Sequence, residues 1–337
     1  MLFQHSSEDI YMQAPNSPKI LFISAFSAPF IQEDLKFLRQ FFSIEQQIGS
    51  GFLQIIRIIF ACLKTDIAFC WFASIYAFVS VVLMKLLHRK SIIVLGGVDV
   101  SKEKDINYGI WLSPWKAVCI RFALRHASMI LPVDESLVAD AKRLANYGGK
   151  NITVLPTGYD SEFWQPKGRK EQMILTVAAV KDEVQLKRKG LDILIEVARR
   201  LHEKKFCVIG IDRSLVTHLN PPSNIDFLPY VQREHLLSFY QRAQVYCQPS
   251  LREGLPNALC EAMLCECIPV ATNVGGNAVA IGPSGLLVRS RDIDELADAL
   301  QHAFSLPEEN GREARKRIVE KFPRAYRENR LLQILQA

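Results

Sequence analysis

Short apolar segments alternate with helical stretches along most of the chain, and this alternation constrains the fold more than any other feature of the sequence. Strands separated by helices predict a parallel sheet with crossover connections. The strands predicted in the first half are residues 20–23, 67–71, 92–95, 129–133 and 152–155. Those predicted in the second half are residues 173–177, 206–209, 225–227, 245–247, 268–271 and 286–288. The pattern therefore predicts an α/β protein with two doubly wound, Rossmann-like parallel sheets.

The length of 337 residues also favours two domains, because it exceeds that of a typical single domain. A polar segment with proline and glycine, residues 164–171, separates the two blocks of strands and is the predicted hinge. We expect one domain at residues 1–165, a second at residues 166–315 and a final helix within residues 316–337. Open α/β sheets bind ligands at the carboxyl ends of their strands, so the predicted site is a cleft between the two domains.

The charge and cysteine content narrow the class of protein. A net charge of +6, spread almost evenly along the chain, argues against a nucleic-acid partner. Eight cysteines without a paired C-x-x-C motif indicate free thiols and a reducing cytoplasm. The first eighteen residues are polar and do not resemble a secretion signal.

One apolar run, residues 67–84, contains no charged residue and reaches the lower limit of about 18–20 residues for a membrane span. We interpret it as a buried strand followed by a helix over residues 73–87, because helices and strands of parallel sheets are often almost continuously apolar. An alternative is that this helix or its neighbour, residues 52–60, rests on the inner face of a membrane together with Arg57, Lys64 and Lys85.

Residues 250–263 place two carboxylates around the start of one predicted helix. Gly254 permits a tight loop, Pro256 suits the first helical turn, and Asn257 is a candidate cap. Unpaired backbone N–H groups at such a helix start form an anion site that suits a diphosphate. Glu253 precedes the helix and Glu261 lies inside it, so we expect each to bind a different part of one ligand.

This loop resembles that of the retaining, nucleotide-sugar-dependent glycosyltransferases with the GT-B fold, whose signature is Glu, seven residues, Glu. The resemblance covers most of the second half and is looser in the first. The matching segments of the second half are residues 226–231, 245–250, 268–272, 275–276 and 285–288. Those of the first half are residues 30–34, 96–99 and 154–160.

The resemblance implies roles for individual residues. Glu253 would contact hydroxyls of the donor sugar, Glu261 would bind the ribose, and Lys189 would neutralise the diphosphate and stabilise the leaving group. The remaining donor-side candidates are Gly254, Leu255, Pro256, Asn257, Tyr230 and Val231, of which the last two are explained almost as well by core packing. The resemblance also implies that residues 1–165 form the acceptor side and that the final helix packs back on them.

Two departures from the family pattern bear on catalysis. The family places an arginine directly after the strand where this chain has Ala179, so this cation is either missing or supplied by Lys181, Lys187 or Arg188. The family commonly has a histidine after the third strand of the first domain, whereas this chain has the sequence GGVD at residues 96–99. Gly96 and Gly97 are predicted to allow a close approach of substrate or of the opposite domain. Asp99 either takes the polar role of that histidine on the acceptor side or only caps the turn.

Asp292 and Asp294 imitate an Asp-x-Asp metal motif, but their position before an apolar helix favours helix capping. No cluster of His, Cys or Asp has the spacing of metal ligands, so we predict no required metal ion. The first predicted strand lacks the G-x-G-x-x-G turn of dinucleotide-binding oxidoreductases, which makes that class a weaker alternative.

The sequence therefore predicts a retaining, metal-independent glycosyltransferase, with a hexosyltransferase as the expected type. It would move a sugar from a nucleoside diphosphate to a glycan or lipid-linked acceptor in envelope, lipopolysaccharide or exopolysaccharide synthesis, and it would need no cofactor. The alternative is a weakly active or inactive relative that binds a nucleotide sugar or serves as a partner subunit.

Overall fold

The computed structural model describes residues 17–337 of the chain. The prediction that the first eighteen residues are not a secretion signal concerns residues 1–16, which lie outside the described residues, and residues 17 and 18.

The strands are β1 Ile20–Ser24, β2 Ile44–Ile48, β3 Ile67–Trp71, β4 Lys90–Leu95, β5 Met129–Pro132, β6 Glu171–Val180, β7 Lys205–Ile211, β8 Ile225–Leu228, β9 Ala243–Gln248, β10 Ile268–Thr272 and β11 Leu286–Val288. The helices of the first domain are α1 Pro29–Leu38, α2 Phe52–Leu63, α3 Ile75–Leu86, α4 Pro114–His126 and α5 Ser136–Ala145. Those that follow are α6 Glu183–Arg188, α7 Leu191–Arg200, α8 Arg213–Val216, α9 Arg233–Arg242, α10 Asn257–Leu264, α11 Gly276–Ile281, α12 Ile293–Ser305, α13 Glu309–Lys321 and α14 Arg324–Gln336.

The first sheet has five parallel strands in the order β2-β1-β3-β4-β5. All residues of β1 and β3 are buried, as expected for strands covered by helices on both faces. The second sheet has six parallel strands in the order β11-β10-β9-β6-β7-β8. The predicted fold of two parallel-sheet α/β domains is thus confirmed.

Two details of the first sheet differ from the sequence-based prediction. Strand β2 was not predicted, because its polar sequence IEQQI is only partly buried at the edge of the sheet. Residues 152–155 do not form a regular strand and make only an isolated bridge between Ile130 and Ile152. The N–H of Leu155 donates to Pro132 of β5, which has no N–H to donate in return, so the ladder does not continue.

The apolar run at residues 67–84 forms strand β3 and most of helix α3, whose inward-facing residues are buried in the first domain. Within residues 17–337, no helix has both the length and the apolar character that crossing a bilayer would require.

The chain returns to the first domain after α13. Tyr159 donates its N–H to Phe322 O at 2.9 Å, and Arg324 N donates to Tyr159 O at 3.2 Å, so the two crossing segments are hydrogen-bonded. Helix α14 then packs against α1. At the carboxyl ends of the two sheets, the loop after β4 meets the loops after β9 and β10.

Candidate active site

The loop between β9 and α10 carries the central acidic residue of the cleft. Strand β9 ends at Gln248, and the chain runs through buried Ser250 and Glu253 before α10 begins at Asn257. The predicted cap is wrong: Pro256 occupies the N-cap position, and Asn257 is the first helical residue. The Asn257 side chain does not turn back onto the helix, because its Oδ1 accepts from the Tyr159 hydroxyl of the first domain at 2.9 Å. No side chain therefore caps the start of this helix, and the backbone N–H groups of its first turn have no side-chain hydrogen-bond partner.

Glu253 forms a buried ion pair with Lys189. Lys189 Nζ donates to Glu253 Oε1 at 2.5 Å, although the two residues are 64 positions apart. Lys189 follows the last residue of α6, and the next residue, Gly190, allows the turn into α7 with a φ of +66°. The same Oε1 accepts from Gln248 Nε2 at 3.0 Å and from Ser250 Oγ at 2.7 Å. These bonds fix the carboxylate on the second domain.

Burial and charge act on this pair in opposite directions. Burial alone disfavours the charged form of Glu253, but Lys189 and Arg188 outweigh it and hold the pKa of the carboxyl below its usual value. Burial also lowers the pKa of Lys189, and the attraction of Glu253 opposes that change. We conclude that Glu253 is ionised and that its charge is balanced by cations from residues 188 and 189.

Arg188 is the cation that the structure places beside this pair. Its Nη1 lies 3.8 Å from Glu253 Oε2, and its guanidinium lies 4.9 Å from the centre of the Tyr108 ring. The buried Arg188 Nε has no hydrogen-bond partner within the described residues. Lys181 and Lys187, the other two candidates for the missing family arginine, are exposed to solvent. Only Arg188 of the three reaches Glu253.

Three glycine-containing segments meet next to Glu253 and bring the two domains into backbone contact. A Cβ added to Gly254 would lie 2.5 Å from Gly96 O, and one added to Gly97 would lie 3.4 Å from Gly254 N. A Cβ on Gly275 would lie 2.1 Å from Glu253 O. A side chain on Gly254 would therefore push the domains apart, and one on Gly275 would displace the Glu253 loop. After β4, a Cβ on Gly96 would lie 2.3 Å from the Phe72 ring, and Gly97 has a φ of +126° that favours glycine.

The Asp99 side chain stabilises the loop after β4 through hydrogen bonds to the backbone. Its carboxylate is buried and accepts backbone N–H groups from Ala73, Gly96 and Gly97 at 3.1, 3.4 and 2.8 Å. Burial raises the pKa of Asp99 to about 6, although these hydrogen bonds oppose the shift. In this structure the side chain shapes the loop and does not face the cleft, which matches the second of the two interpretations left open above.

Glu261 lies within α10 and has partners different from those of Glu253. Its Oε2 accepts from the buried Tyr240 hydroxyl at 3.1 Å. Burial raises the pKa of Glu261 to about 8, and the Tyr240 hydrogen bond only partly opposes this. Glu261 is consequently a largely protonated carboxyl at neutral pH, whereas Glu253 is a carboxylate.

The other predicted donor-side residues fall into two groups. Leu255 and Pro256 are buried beside Gly254 and complete the loop. Tyr230 follows the end of β8, and 72% of its surface is exposed, so core packing does not account for it. Val231 is partly buried and packs against the hydrophobic core.

Sequence reasoning missed three residues of this region. Tyr108 reaches Arg188 from a turn in the first domain that is closed by a bridge between Glu103 and Tyr108. Arg252 forms an ion pair with Asp140 and so ties the donor loop to the first domain. Gln248 holds Glu253 and accepts the Tyr246 hydroxyl at 3.0 Å. The only available sequence signal was that Gln248 is a polar residue at the end of an apolar strand.

The Asp-x-Asp motif is part of a helix cap. Asp292 Oδ1 accepts from Glu295 N at 2.9 Å at the start of α12, and Asp294 pairs with Arg200. Across the part of the chain that the structure describes, no three His, Cys, Asp or Glu residues gather into a potential metal site.

Two parallel-sheet α/β domains that meet at the carboxyl ends of their strands define a protein of the GT-B fold, and comparison with known proteins agrees with that fold class. Residues 171–305 match the family model described as Glycosyl transferases group 1.

Two curated relatives share part of the sequence. The MMP alpha-(1->4)-mannosyltransferase of Mycolicibacterium hassiacum is 28% identical over 59% of this chain and 51% of its own length. The capsular polysaccharide biosynthesis glycosyltransferase CapM of Staphylococcus aureus is 30% identical over 41% of this chain and 40% of its own. The chain therefore spans about half, or less, of the length of these relatives.

Solved structures extend the similarity of fold to both domains. Alr3699/HepE of Anabaena, solved in complex with UDP-glucose, superposes with a TM-score of 0.75 over 95% of this chain and 100% of its own, at 13% identity. Agreement over nearly the full length of both chains shows that the two-domain GT-B arrangement is shared.

Proposed function

We propose that this protein is a retaining glycosyltransferase that transfers a hexose from a nucleoside-diphosphate donor to a hydroxyl of a glycan or lipid-linked acceptor. The observation that carries the proposal is the cluster of Lys189, Arg188 and Glu253 beside the uncapped start of α10. Two cations balance one carboxylate there, so a positive charge remains for an anion. The partnerless Arg188 Nε and the helix N–H groups supply donors for phosphate oxygens.

In the proposed reaction, Lys189 changes partner during donor binding. A diphosphate placed before α10 would compete with Glu253 for the ammonium group, and Glu253 would then be free to accept hydrogen bonds from hydroxyls of the donor sugar. As the bond between the sugar and the phosphate oxygen breaks, negative charge grows on the diphosphate. Lys189 and Arg188 would stabilise that charge more strongly in the transition state than in the ground state.

The proposed stereochemistry follows from the surroundings of the two glutamates. Glu253 is held by Lys189, Gln248 and Ser250, and Glu261 by Tyr240, so neither is placed as an unhindered covalent nucleophile. A front-face reaction, in which the departing phosphate oxygen accepts the proton of the acceptor hydroxyl, requires no such nucleophile. Because the two basic residues carry the charge of the leaving group, the proposed reaction needs neither a metal ion nor another cofactor.

Glu261 would bind the ribose hydroxyls, and Tyr230 and Val231 would line the pocket for the base. Gly96, Gly97 and Asp99 shape the acceptor side, with Asp99 acting through the loop that it holds. Relatives named for capsular polysaccharide synthesis and for mannosyl transfer support an acceptor in envelope or exopolysaccharide synthesis. Lipopolysaccharide is also an envelope glycan, so it belongs to the proposed class of acceptors. We propose that the protein acts at the cytoplasmic face of the membrane.

One observation favours a second candidate function, that of a weakly active relative which binds a nucleotide sugar or assists a partner. Where the family has a histidine near the transferred sugar, this chain has glycines whose backbone touches the Gly254 loop, and the Asp99 carboxylate is occupied by backbone N–H groups. No side chain at this position is free to contact the sugar.

A panel of nucleoside-diphosphate sugars tested by thermal shift would identify the donor, because a ligand stabilises the fold in proportion to the logarithm of its concentration over its Kd. Incubation of the best donor with glycan and lipid-linked acceptors, followed by NMR of the anomeric proton, then separates the candidates. Transfer with retained configuration, unaffected by EDTA, is the expected result. Binding without turnover would favour the second candidate, and inverted configuration would exclude the retaining mechanism.

A further inference from the structure

Helix α2 carries its apolar face outward, contrary to the usual arrangement of a surface helix. Phe52, Leu53, Ile56, Ile59, Phe60 and Leu63 are all exposed, with 75% of Phe52 and 61% of Phe60 accessible to solvent. The side facing the domain consists of Gln54, Ile58, Ala61 and Cys62, which are buried and mostly smaller. Six large apolar side chains on a helix of 12 residues form one continuous patch, which we call the α2 face.

Most charges around the α2 face are positive. Residues 45–98 contain five Lys and Arg residues and two acidic residues, Glu45 and Asp66. Both acidic residues have a partner in Lys19, whose Nζ lies 3.3 Å from Glu45 Oε2 and whose backbone N–H donates to Asp66 Oδ2 at 2.8 Å. Arg57 and Lys64 lie on α2 and immediately after it, and both are exposed. On a helical projection they flank the apolar residues on one side. The helix itself contains no acidic residue.

The neighbouring helix extends this surface. Arg89 Nη1 donates to the carbonyl oxygens of Cys62, Leu63 and Thr65 at 3.0, 3.1 and 2.7 Å, which holds the segment after α3 against the end of α2. Leu86 and Leu87, at the end of α3, are exposed beside this junction, and so is Lys85. The basic and apolar residues therefore continue from one helix to the next.

We infer that the α2 face lies in the interfacial layer of an anionic lipid bilayer. A helix with large apolar residues outward and cations at their edge can bury its apolar side chains among the acyl chains while its cations meet lipid phosphates. The charge decides between partners, because a second copy of this chain would bring the same cations together, whereas an anionic bilayer attracts them. The helix is about 18 Å long at 1.5 Å per residue, so it would lie along the surface.

This inference goes beyond the proposed transfer reaction, since bilayer binding would hold even if the cleft bound no nucleotide sugar. It would place the first domain, the acceptor side in the proposed function, next to lipid-linked substrates. Nucleotide-sugar binding measured without vesicles tests the cleft separately, so that failure of one idea is distinguishable from failure of the other.

The test uses the full chain and flotation with vesicles of equal parts phosphatidylglycerol and phosphatidylcholine, compared with vesicles of phosphatidylcholine alone. The wild-type chain is expected to bind the anionic vesicles. The double substitution Leu53→Gln/Phe60→Gln removes two large apolar groups and should lower the partition coefficient by about tenfold or more. Arg57→Gln should lower it by about fivefold on anionic vesicles and have no effect on neutral ones.

Val319→Gln, which changes an exposed apolar residue on α13, is the matched control and should leave binding unchanged. Because the substituted residues are exposed, all variants should keep the thermal unfolding temperature of the wild type. The inference is overturned if the wild type does not bind anionic vesicles or if Leu53→Gln/Phe60→Gln binds as well as Val319→Gln. It is equally overturned if the wild type is a dimer in sedimentation and that double variant is a monomer, because a second copy would then cover the α2 face.

Discussion

Arg327 and Asp34 form a buried, two-pronged ion pair across 293 positions of sequence. Arg327 Nη2 lies 2.6 Å from Asp34 Oδ2, and Arg327 Nε donates to Asp34 Oδ1 at 2.8 Å. Arg327 Nη1 donates to the carbonyls of Leu155 and Pro156, and Trp71 Nε1 donates to Asp34 at 3.0 Å. One guanidinium thus ties the last helix to α1 and to the segment that leaves the first domain, and so fixes the path of the chain behind the cleft.

Replacing Arg327 by methionine should destabilise the first domain strongly. The substitution keeps an apolar stem but leaves the Asp34 carboxylate buried without its counter-ion, a change that costs about 3–5 kcal/mol. Urea denaturation followed by fluorescence measures the loss. Arg330→Met, on the same helix but hydrogen-bonded through its guanidinium to Gln333, is the control and should change stability by less than about 0.5 kcal/mol. Equal effects of the two substitutions would show that the pair does not hold the domain.

Lys189→Met should reduce turnover more than donor affinity. If the ammonium group acts mainly on charge that develops on the leaving diphosphate, kcat should fall by about 10²–10³, with a much smaller change in donor Kd. Single-turnover kinetics and calorimetry provide the two numbers. Because the substitution leaves Glu253 with Arg188 as its remaining cation, the unfolding temperature must be checked as well. Equal losses in kcat and affinity would mean that Lys189 binds ground state and transition state alike.

Substitution of each cation in turn tests which one replaces the family arginine. Arg188→Met should lower kcat by about 10²-fold, because Arg188 lies beside Glu253 in the cleft. Lys181→Met and Lys187→Met remove exposed charges and should leave kcat within about twofold. The three variants are compared at saturating donor. A loss with Lys187→Met and none with Arg188→Met would reassign the role.

The strands of the second sheet were predicted more completely from the sequence than those of the first. All six strands of the second sheet were predicted, because each is an apolar run bounded by polar or glycine-containing segments. In the first sheet the edge strand β2 was missed, since it is only partly buried and its sequence is polar. Residues 152–155 look like a strand in composition, yet Pro132 on the neighbouring strand cannot complete the ladder.

The candidate site shows the same limit at the level of side chains. Spacing and the resemblance to the GT-B family identified Lys189, Glu253 and Glu261 as candidate site residues. Spacing does not reveal that the side chain of Arg188, and not that of Lys187, turns toward Glu253. Tyr108 lies on a turn of the other domain, so its contact with Arg188 depends on how the domains pack. Asn257 was expected to cap α10, but a partner from the first domain, Tyr159, takes its side-chain oxygen.

The pKa of Glu261 predicts a specific dependence of stability on pH. Burial raises this pKa from 4.5 to about 8 in the folded protein, so between these values the unfolded chain is ionised while the folded protein keeps the proton. The unfolded state then binds fewer protons, and the contribution of Glu261 to stability falls as pH rises from about 4.5 to about 8. Glu261→Gln removes this dependence and keeps an acceptor for Tyr240.

The unfolding temperature of Glu261→Gln should therefore rise relative to that of the wild type as the pH increases through this window, and the difference should level off above it. Thermal unfolding at a series of pH values measures both proteins without ligand. Parallel curves would mean that Glu261 is ionised at neutral pH. In nucleotide titrations above about pH 8, where Glu261 is ionised, the same variant should bind roughly tenfold more weakly if the carboxylate holds the ribose, because hydrogen bonds to charged groups contribute about 1.5–3 kcal/mol.

Gly190 offers a test of how the backbone positions Lys189. A Cβ at Gly190 would lie 1.9 Å from Pro249 O, so Gly190→Ala must separate the turn before α7 from the donor loop. Gly168 has a similar positive φ, +73° against +66°, but a Cβ there meets nothing within 4 Å. Gly168→Ala therefore measures the backbone strain alone, about 1–2 kcal/mol. Gly190→Ala should cost clearly more in urea denaturation and should also weaken donor binding, because moving the turn displaces Lys189 from Glu253. If both alanines cost the same and donor affinity is unchanged, the contact between this turn and the donor loop does not hold Lys189 in place.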